Sequence, residues 1–461
     1  MTATALDGHR ETNSQEQLLR DLTEQVTASG VKYVYYQVVT LTGRVLAKVV
    51  PAEHLRRNLE RGVQFHRTAI SDLQADRHGE LLGGGAAAAE FTAMPDSDTF
   101  RVLPWDPSVG RFLCRLYEPS HVPVRGGEPL ATDPRGNLFR LHDAFTASTG
   151  LRLKSGCEPE MTWLGPSLEV KVRPGASPAY HAGNLELMRP IYQKLIDYAQ
   201  AMGLDMIEGD YEDAGQLELN WMYDSCELTA DRLITYRQIC QQVAREFGVT
   251  ASFMPKPTTG SMGNGCHHNL SLWHGDENIL EEAGRRELHL TERGRHALGG
   301  LLAHVPGSMA VMASTVNSYK RFWDAGQFAP SRVNWGLDNK TCTVRLSSNG
   351  RLEYKLPDAS VNPYLSHAAL LAAMQDGLER ELDPGEPQTS SSYDGGGSPA
   401  EEALPLTLGD ALTAFDRDKI VRSAFPEELA TLFGRLKADE WARSCGAVTD
   451  WDREMYLEYL P

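Results

Sequence analysis

Residues 252–272 read Ser252-Phe253-Met254-Pro255-Lys256-Pro257-Thr258-Thr259-Gly260-Ser261-Met262-Gly263-Asn264-Gly265-Cys266-His267-His268-Asn269-Leu270-Ser271-Leu272. Three glycines ahead of a histidine pair describe a loop that wraps closely round a ligand, because glycine lets backbone approach where a side chain would collide. The following residues alternate as a strand, so His267 and Asn269 share one face and His268 takes the other. A histidine pair alone fits a structural role as well as a metal. A carboxylate cluster elsewhere in the chain would decide between them.

Carboxylates do recur at strand spacing. In Gly156-Cys157-Glu158-Pro159-Glu160-Met161 the two glutamates face one side, an unfavourable pairing unless cations compensate it. In Gly209-Asp210-Tyr211-Glu212-Asp213-Ala214-Gly215-Gln216-Leu217-Glu218-Leu219-Asn220-Trp221, Glu218 points away from the face that Leu217 and Leu219 bury. A cationic stretch runs from Asn317-Ser318-Tyr319-Lys320-Arg321 through Asn339-Lys340 and Arg345 to Arg351-Leu352-Glu353-Tyr354-Lys355. Such clustering suits either anionic ligands or cross-strand ion pairs.

The rest of the chain bounds these readings. With 461 residues there is room for more than one domain, and 41% hydrophobic content is that of a globular protein. A net charge of −17 argues against a large nucleic-acid footprint. No apolar run reaches membrane-spanning length, and the polar start Met1–Gln17 lacks a signal-peptide core, so a cytoplasmic protein is expected. Seven cysteines without a CxxC pair suggest free thiols rather than a disulfide framework or thiolate zinc site.

Residues 1–14 read as disordered and Gln15–Ser29 as an amphipathic helix. Lys32–Val39 and Arg44–Val50 read as paired strands joined at Leu41-Thr42-Gly43, with Pro51 opening a helix. Gly83–Ala89 is expected to be a mobile loop, and Arg111–Tyr117 a strand. Helices are predicted at Pro134–Thr149, Leu187–Met202, Ala230–Phe247, Thr291–Val305, Ser366–Glu379, Asp410–Phe415 and Glu427–Ala442. Gln388–Glu402 reads as a linker or surface insertion, in which Tyr393 is an ordinary exposed tyrosine.

In order, these motifs resemble glutamine synthetase, from about Lys32 to about Phe415. The resemblance rests on Glu-x-Glu, Gly-Gln-x-Glu, Phe-Met-Pro-Lys-Pro with its glycine loop and histidine, Asn-Ser-Tyr-Lys-Arg and Arg-x-Glu. It extends through Asp358, Asn362-Pro363-Tyr364-Leu365 and Ala368–Ala373. It implies an α+β fold: a small N-terminal β-grasp domain over residues 15–125 and a large catalytic α/β domain over 126–461. It also implies a homo-oligomer of two stacked hexameric rings, because each funnel needs the neighbour's N-terminal domain.

Carried over by motif, Glu160, Glu212 and Glu218 would hold one metal, and Glu158, His267 and Glu353 another. Two to three Mg²⁺ or Mn²⁺ per site are implied, with ATP as co-substrate. Gly-Gln-x-Glu lies one residue nearer Glu212 than the family pattern. Gly263, Asn264 and Gly265 would enclose L-glutamate, with Arg321, Arg351 and Lys355 near its carboxylates. Arg321, Arg345 and Asp98 would take catalytic roles. Asn269, Ser271, Lys340 and Arg345 would meet the nucleotide, with asparagine replacing a family histidine and Lys340 and Lys355 replacing arginines.

The departures gather where ammonium should enter. The family's Asp-Gly-Ser-Ser is replaced here by Phe65-His66-Arg67-Thr68-Ala69, although the second ammonium-side aspartate persists as Asp98. Gln327 and Phe328 stand where a flap glutamate is usual. Fewer anions, with His66 and Phe328 in their place, imply an organic amine: an arylamine such as aniline, or a small alkylamine. An arylamine is largely neutral at pH 7 and needs no anionic cage. The remaining readings are true glutamine synthetase, a polyamine or ethanolamine ligase, and a non-catalytic member.

Overall fold

The computed structural model of the protein describes residues 3–169, 176–323, 328–393 and 403–459. Gly326, Gln327 and residues 394–402 of the expected linker lie outside them. Two sheets organise the chain. The first takes its strands from β1 (Tyr33–Val39), β2 (Val45–Pro51), β3 (Val63–His66), β4 (Glu90–Pro95), β5 (Arg101–Leu103) and β6 (Asp106–Tyr117). Their order is β2-β1-β6-β4-β3, with β5 beside β6, and β1 runs parallel to β6. The helix Glu16–Ala28 buries Leu19, Leu22 and Val26 in the same core as Val34, Tyr36 and Phe112, which gives the grasp arrangement.

The second sheet is larger. It contains β7 (Arg152–Leu164), β8 (Met206–Asp213), β9 (Gln216–Trp221), β10 (Asp224–Ser225), β11 (Thr250–Ser252), β12 (Cys266–His274) and β13 (Glu277–Asn278). Its other members are β14 (Trp335–Leu337), β15 (Val344–Ser348) and β16 (Arg351–Tyr354). The central order is β14-β15-β16-β12-β7-β9-β8. On β7 the odd residues Leu153, Cys157, Met161 and Trp163 are buried, so period-two geometry turns Glu158 and Glu160 to the opposite face. The helices Cys226–Phe247 and Pro134–Thr149 pack against β7 from the core side, and the apolar helix Pro363–Glu379 packs on both of them.

Three local expectations need correction. Residues Ala5–Asn13 form a helix rather than a disordered start. Thr4 and Asp7 make a capping box, Leu6 is fully buried, and His9 bonds the Tyr117 hydroxyl at 2.9 Å. Pro51 ends β2 instead of opening a helix, and a short 3₁₀ turn precedes the helix Leu55–Arg61. Tyr393 is half-buried and donates to the Ala329 carbonyl at 2.8 Å, so it is not a free surface tyrosine. The six cysteines other than Cys445 are buried, and all seven are free thiols. No helix among the described residues is long and apolar enough to cross a membrane.

Arg135, on the helix Pro134–Thr149, joins the parts. Its guanidinium bonds Asp96 from the end of β4 and both oxygens of Asp231, at 2.9 and 2.8 Å, from the helix Cys226–Phe247. All three groups are buried. Removing one partner of a buried charge network strands the others, so Arg135→Met is expected to lower unfolding free energy by about 3–5 kcal/mol. Urea denaturation checks this, and a change below about 1 kcal/mol would show that the network does not tie the parts together.

Candidate active site: a carboxylate trough with one imidazole

Strand register, rather than sequence proximity, builds the site. His267 on β12 pairs Glu158 on β7, Glu160 on β7 pairs Glu218 on β9, and Glu353 on β16 pairs Asn269 on β12. The β8–β9 hairpin turns in two residues, Ala214-Gly215, with Asp213 opposite Gln216. Gly215 takes φ +75° there, and a Cβ would stand 2.6 Å from the Trp163 carbonyl. An irregular register between Tyr211 and Asp213 accompanies this tight turn, and Glu212 still arrives beside Glu218 despite the shortened spacing.

Two triads result. Potential ligand atoms of Glu158, His267 and Glu353 lie within 4.8 Å of one another, as do those of Glu160, Glu212 and Glu218. His267 sits between them. Its Nδ1 is 3.3 Å from Glu158 and 3.4 Å from Glu353, and its Nε2 is 4.0 Å from Glu160. The sequence did not single out Asp210, Glu208 or Asn220, which line the same cavity of about 300 Å³. Asn220 donates to Glu218 at 2.7 Å, and Asp210 pairs Glu218 across β8 and β9. The signal for Asp210 was its two-residue spacing from Glu212, legible only once β8 is known to lie beside β9.

So many carboxylates at close range cannot all ionise without a compensating charge. Burial, then Glu160 and Asp210, pushes Glu212 up to about 7. Burial, then Glu208 and Glu160, pushes Asp210 up to about 6, and Glu218 is held well above the ordinary carboxylate range by burial and then by Glu158. Burial would lower His267, but its hydrogen bonds to Glu158 and Glu353 outweigh that and raise it to about 9. Glu353, although buried, is drawn down to about 2 by His267. Protons thus occupy a place where divalent cations would serve better. Hard oxygen donors with one imidazole fit Mg²⁺ or Mn²⁺.

The glycine loop closes one side. Gly265 N–H donates to Glu160 at 2.6 Å, and Gln216 donates to Glu160 at 3.2 Å and to Asn264 at 2.8 Å. The Asn264 side chain is wholly buried and bonds Thr162 and the Met254 carbonyl, so it fixes the loop and has no side-chain group left for a ligand. A Cβ on Gly263 would meet Arg321 Cγ at 2.7 Å, and one on Gly265 would meet His267 Nε2 at 2.8 Å. Both glycines are required by that close approach.

The expected cationic residues divide between two cavities. Arg321, Lys340, Arg345, Lys355 and Phe328 line the carboxylate cavity. Arg321 holds the Leu356 and Lys355 carbonyls at 3.1 Å each, and Arg345 bonds Glu353 at 2.9 Å and Asp338 at 2.6 Å. Burial lowers Lys355, whose Nζ donates to the Lys340 carbonyl at 2.7 Å. Arg351 lies instead in an adjoining cavity of about 350 Å³ with Asn269, Ser271 and Trp273. Two residues of strand rise carry it past Glu353 and away from Arg321. Lys340, expected on the nucleotide side, belongs to the first cavity. Glu158, Glu208 and Asn220 line both, so the two form one continuous trough.

His66 and Asp98 are not brought to this trough within one chain. His66 bonds Thr68 at 2.7 Å, and Asp98 is exposed between two other cavities. Arg67 is not a free cation: Glu118 receives it through two hydrogen bonds.

A trough of paired acidic triads beside fixed guanidiniums is the equipment of phosphoryl activation. The comparisons give the class its name. The sequence pattern of the glutamine synthetase catalytic domain matches residues 131–456, and the chain belongs to that family. It is an ATP-dependent carbon–nitrogen ligase of a family that uses divalent metal ions. The chain is 32% identical over 457 residues to the glutamine synthetase of Rhizobium meliloti (strain 1021), covering 95% of this chain and 99% of that one. It is 33% identical over 447 residues to the glutamate–methylamine ligase of Methyloversatilis universalis, covering 93% and 97%. A solved GmaS–ADP complex superposes with a TM-score of 0.85 at 33% identity, over 95% of this chain and all of that one.

The proton occupancy has a testable consequence. Groups raised in the fold, Asp210, Glu212 and His267, stabilise it at low pH and lose that contribution as pH rises through about 6, 7 and 9. Metal-free protein should therefore melt lower at pH 9 than at pH 6, while the increment given by Mn²⁺ widens over the same range. Glu212→Gln should flatten the metal-free slope. Thermal melts in chelator and in Mn²⁺ check this; an increment that ignores pH would contradict it.

Proposed function

We propose that the enzyme condenses L-glutamate with an organic amine rather than with ammonia, giving a γ-glutamylamide. The observation that carries this reading is the wall of the carboxylate cavity. Tyr180, Met262, Phe328 and Ala329 are among the residues that line it, and Phe328 lies 5.8 Å from the Lys340 ammonium. An apolar substituent would find contact there. An ammonium ion would find a cation and an aromatic ring. The Arg67–Glu118 pair agrees, since it occupies the stretch where family members carry an ammonium-binding aspartate. Similarity to a relative named glutamate–methylamine ligase supports the same reading.

Cations held on Glu158/His267/Glu353 and on Glu160/Glu212/Glu218 would neutralise phosphate charge during transfer from ATP. The remaining work falls to the chain's own groups. Arg345, held by Asp338 and Glu353, offers a fixed charge to the transferring phosphoryl group, and Asn269 and Ser271 face the nucleotide. Arg321 and Lys355 place positive charge at the glutamate end. The product of the first step is γ-glutamyl phosphate. A neutral amine then attacks its carbonyl, expelling phosphate and losing one proton.

A panel of ammonium, methylamine, ethanolamine and aniline with glutamate and Mg²⁺-ATP tests the substrate. An organic amine should exceed ammonium in kcat/KM by about tenfold or more, a difference of about 1.4 kcal/mol at the transition state. Fastest turnover with ammonium would make the enzyme a true glutamine synthetase.

The positions of His66 and Asp98 support assembly into stacked rings, in which a neighbour's N-terminal domain supplies them to the trough. Mixing Asp98→Asn subunits with Glu353→Gln subunits, each inactive alone, should then restore part of the activity. A mixture as inactive as its parents would rule out shared sites.

A further inference from the structure

A third cavity, of about 500 Å³, lies apart from the trough and shares no lining residue with it. It opens between β5, β6, the Met202-Gly203-Leu204 turn and the start of the helix Cys226–Phe247. In a chain of net charge −17, six arginines line it: Arg101, Arg111, Arg115, Arg135, Arg152 and Arg232.

Its carboxylates do not neutralise them evenly. Asp96 is held by Arg115 and Arg135. Asp231 is taken by Arg135 and by the Tyr364 hydroxyl at 2.7 Å, and Glu227 is bonded to His142 at 2.7 Å. That leaves Arg101, Arg111, Arg152 and Arg232 facing two exposed carboxylates, Asp98 and Asp143. Arg152 has only a distant contact with Glu227, at 3.8 Å, and Arg232 meets Asp224 at 3.4 Å.

Arg111 is the informative member. It is 4% exposed, and no carboxylate lies within ion-pair distance of it among the described residues. Its Nη1 donates to the Thr99 carbonyl at 3.1 Å and its Nη2 to Thr235 at 3.0 Å. Its Nε is buried without a partner, as is the Nε of Arg232. Burial draws Arg111 down to about 10, and the nearby Asp231 offsets only part of that. Buried donors of this kind are satisfied in nearly all native structures. Two guanidiniums on one cavity that are short of acceptors mark a wall with donors in excess, and planar forks suit carboxylate or phosphate oxygens.

We propose that this cavity binds a small, multiply charged oxyanion, away from the carboxylate trough of the same chain, through Arg111, Arg101 and Arg232. Arg101 also donates to the Asp98 carbonyl at 3.1 Å, so the ligand would sit beside the segment that carries Asp98.

Calorimetry with inorganic pyrophosphate and with citrate tests this on the full-length assembly in metal-free buffer at constant ionic strength. One ligand per chain is expected for at least one of the probes, and the better probe tells a phosphate site from a carboxylate site. Arg101→Ala and Arg111→Met should each weaken it by about tenfold or more, whereas Lys340→Ala in the trough should not. Arg101 is only partly buried, so its variant remains informative where Arg111→Met fails to fold. Loss of binding in Lys340→Ala, wild-type affinity in Arg101→Ala, or no binding of either probe would overturn the proposal.

Discussion

Repulsion among six glutamates and an aspartate, gathered about one imidazole, is the constraint on which the rest of the molecule depends. Nothing about carboxylates favours such proximity in the absence of cations. The fold must impose it, and does so by hydrogen-bonded register across β16, β12, β7 and β9. Helices on the core side keep that sheet from relaxing. Metal binding and fold stability are consequently two descriptions of one balance: cations relieve strain that the ladder would otherwise hold with protons.

The same register explains how one surface handles two substrates. Glu158 and Asn220 line both halves of the trough, so under the proposed function a phosphate donor beside Asn269 and Ser271 would approach an acceptor near Arg321 and Lys355. The guanidinium of Arg345 is held by Asp338 and Glu353, so in the proposed reaction it would need little reorganisation during transfer. Beside this fixed centre, Tyr180, Met262 and Phe328 add apolar surface to the same cavity, and in the proposed function they would bear on acceptor choice.

Much of this was legible in the residues. Period two placed Glu158 and Glu160 on one face, and the glycines before His267 announced a close approach that the Arg321 and His267 contacts explain. What one strand cannot reveal is its neighbour. Asp210 looked like an ordinary strand residue until β8 lay beside β9, and Arg351 looked like a companion of Glu353 until strand rise separated them into different cavities. Arg135 finds its partners 39 and 96 residues away, a distance no local pattern encodes. The helix Ala5–Asn13 was hidden by polar composition, although Thr4 and Asp7 carried its cap and Leu6 its anchor. Asp98 and His66 stay outside the trough of their own chain, and would lie in a neighbour's trough if subunits complete one another's funnels as proposed.

Manganese makes the central claim directly visible. Anomalous diffraction from crystals soaked in Mn²⁺ and a non-hydrolysable nucleotide should show one ion on Glu158, His267 and Glu353 and another on Glu160, Glu212 and Glu218, at about 2.0–2.3 Å from the ligand atoms. Crystals whose anomalous peaks lie elsewhere, or that show neither ion while the nucleotide is bound, would contradict the account.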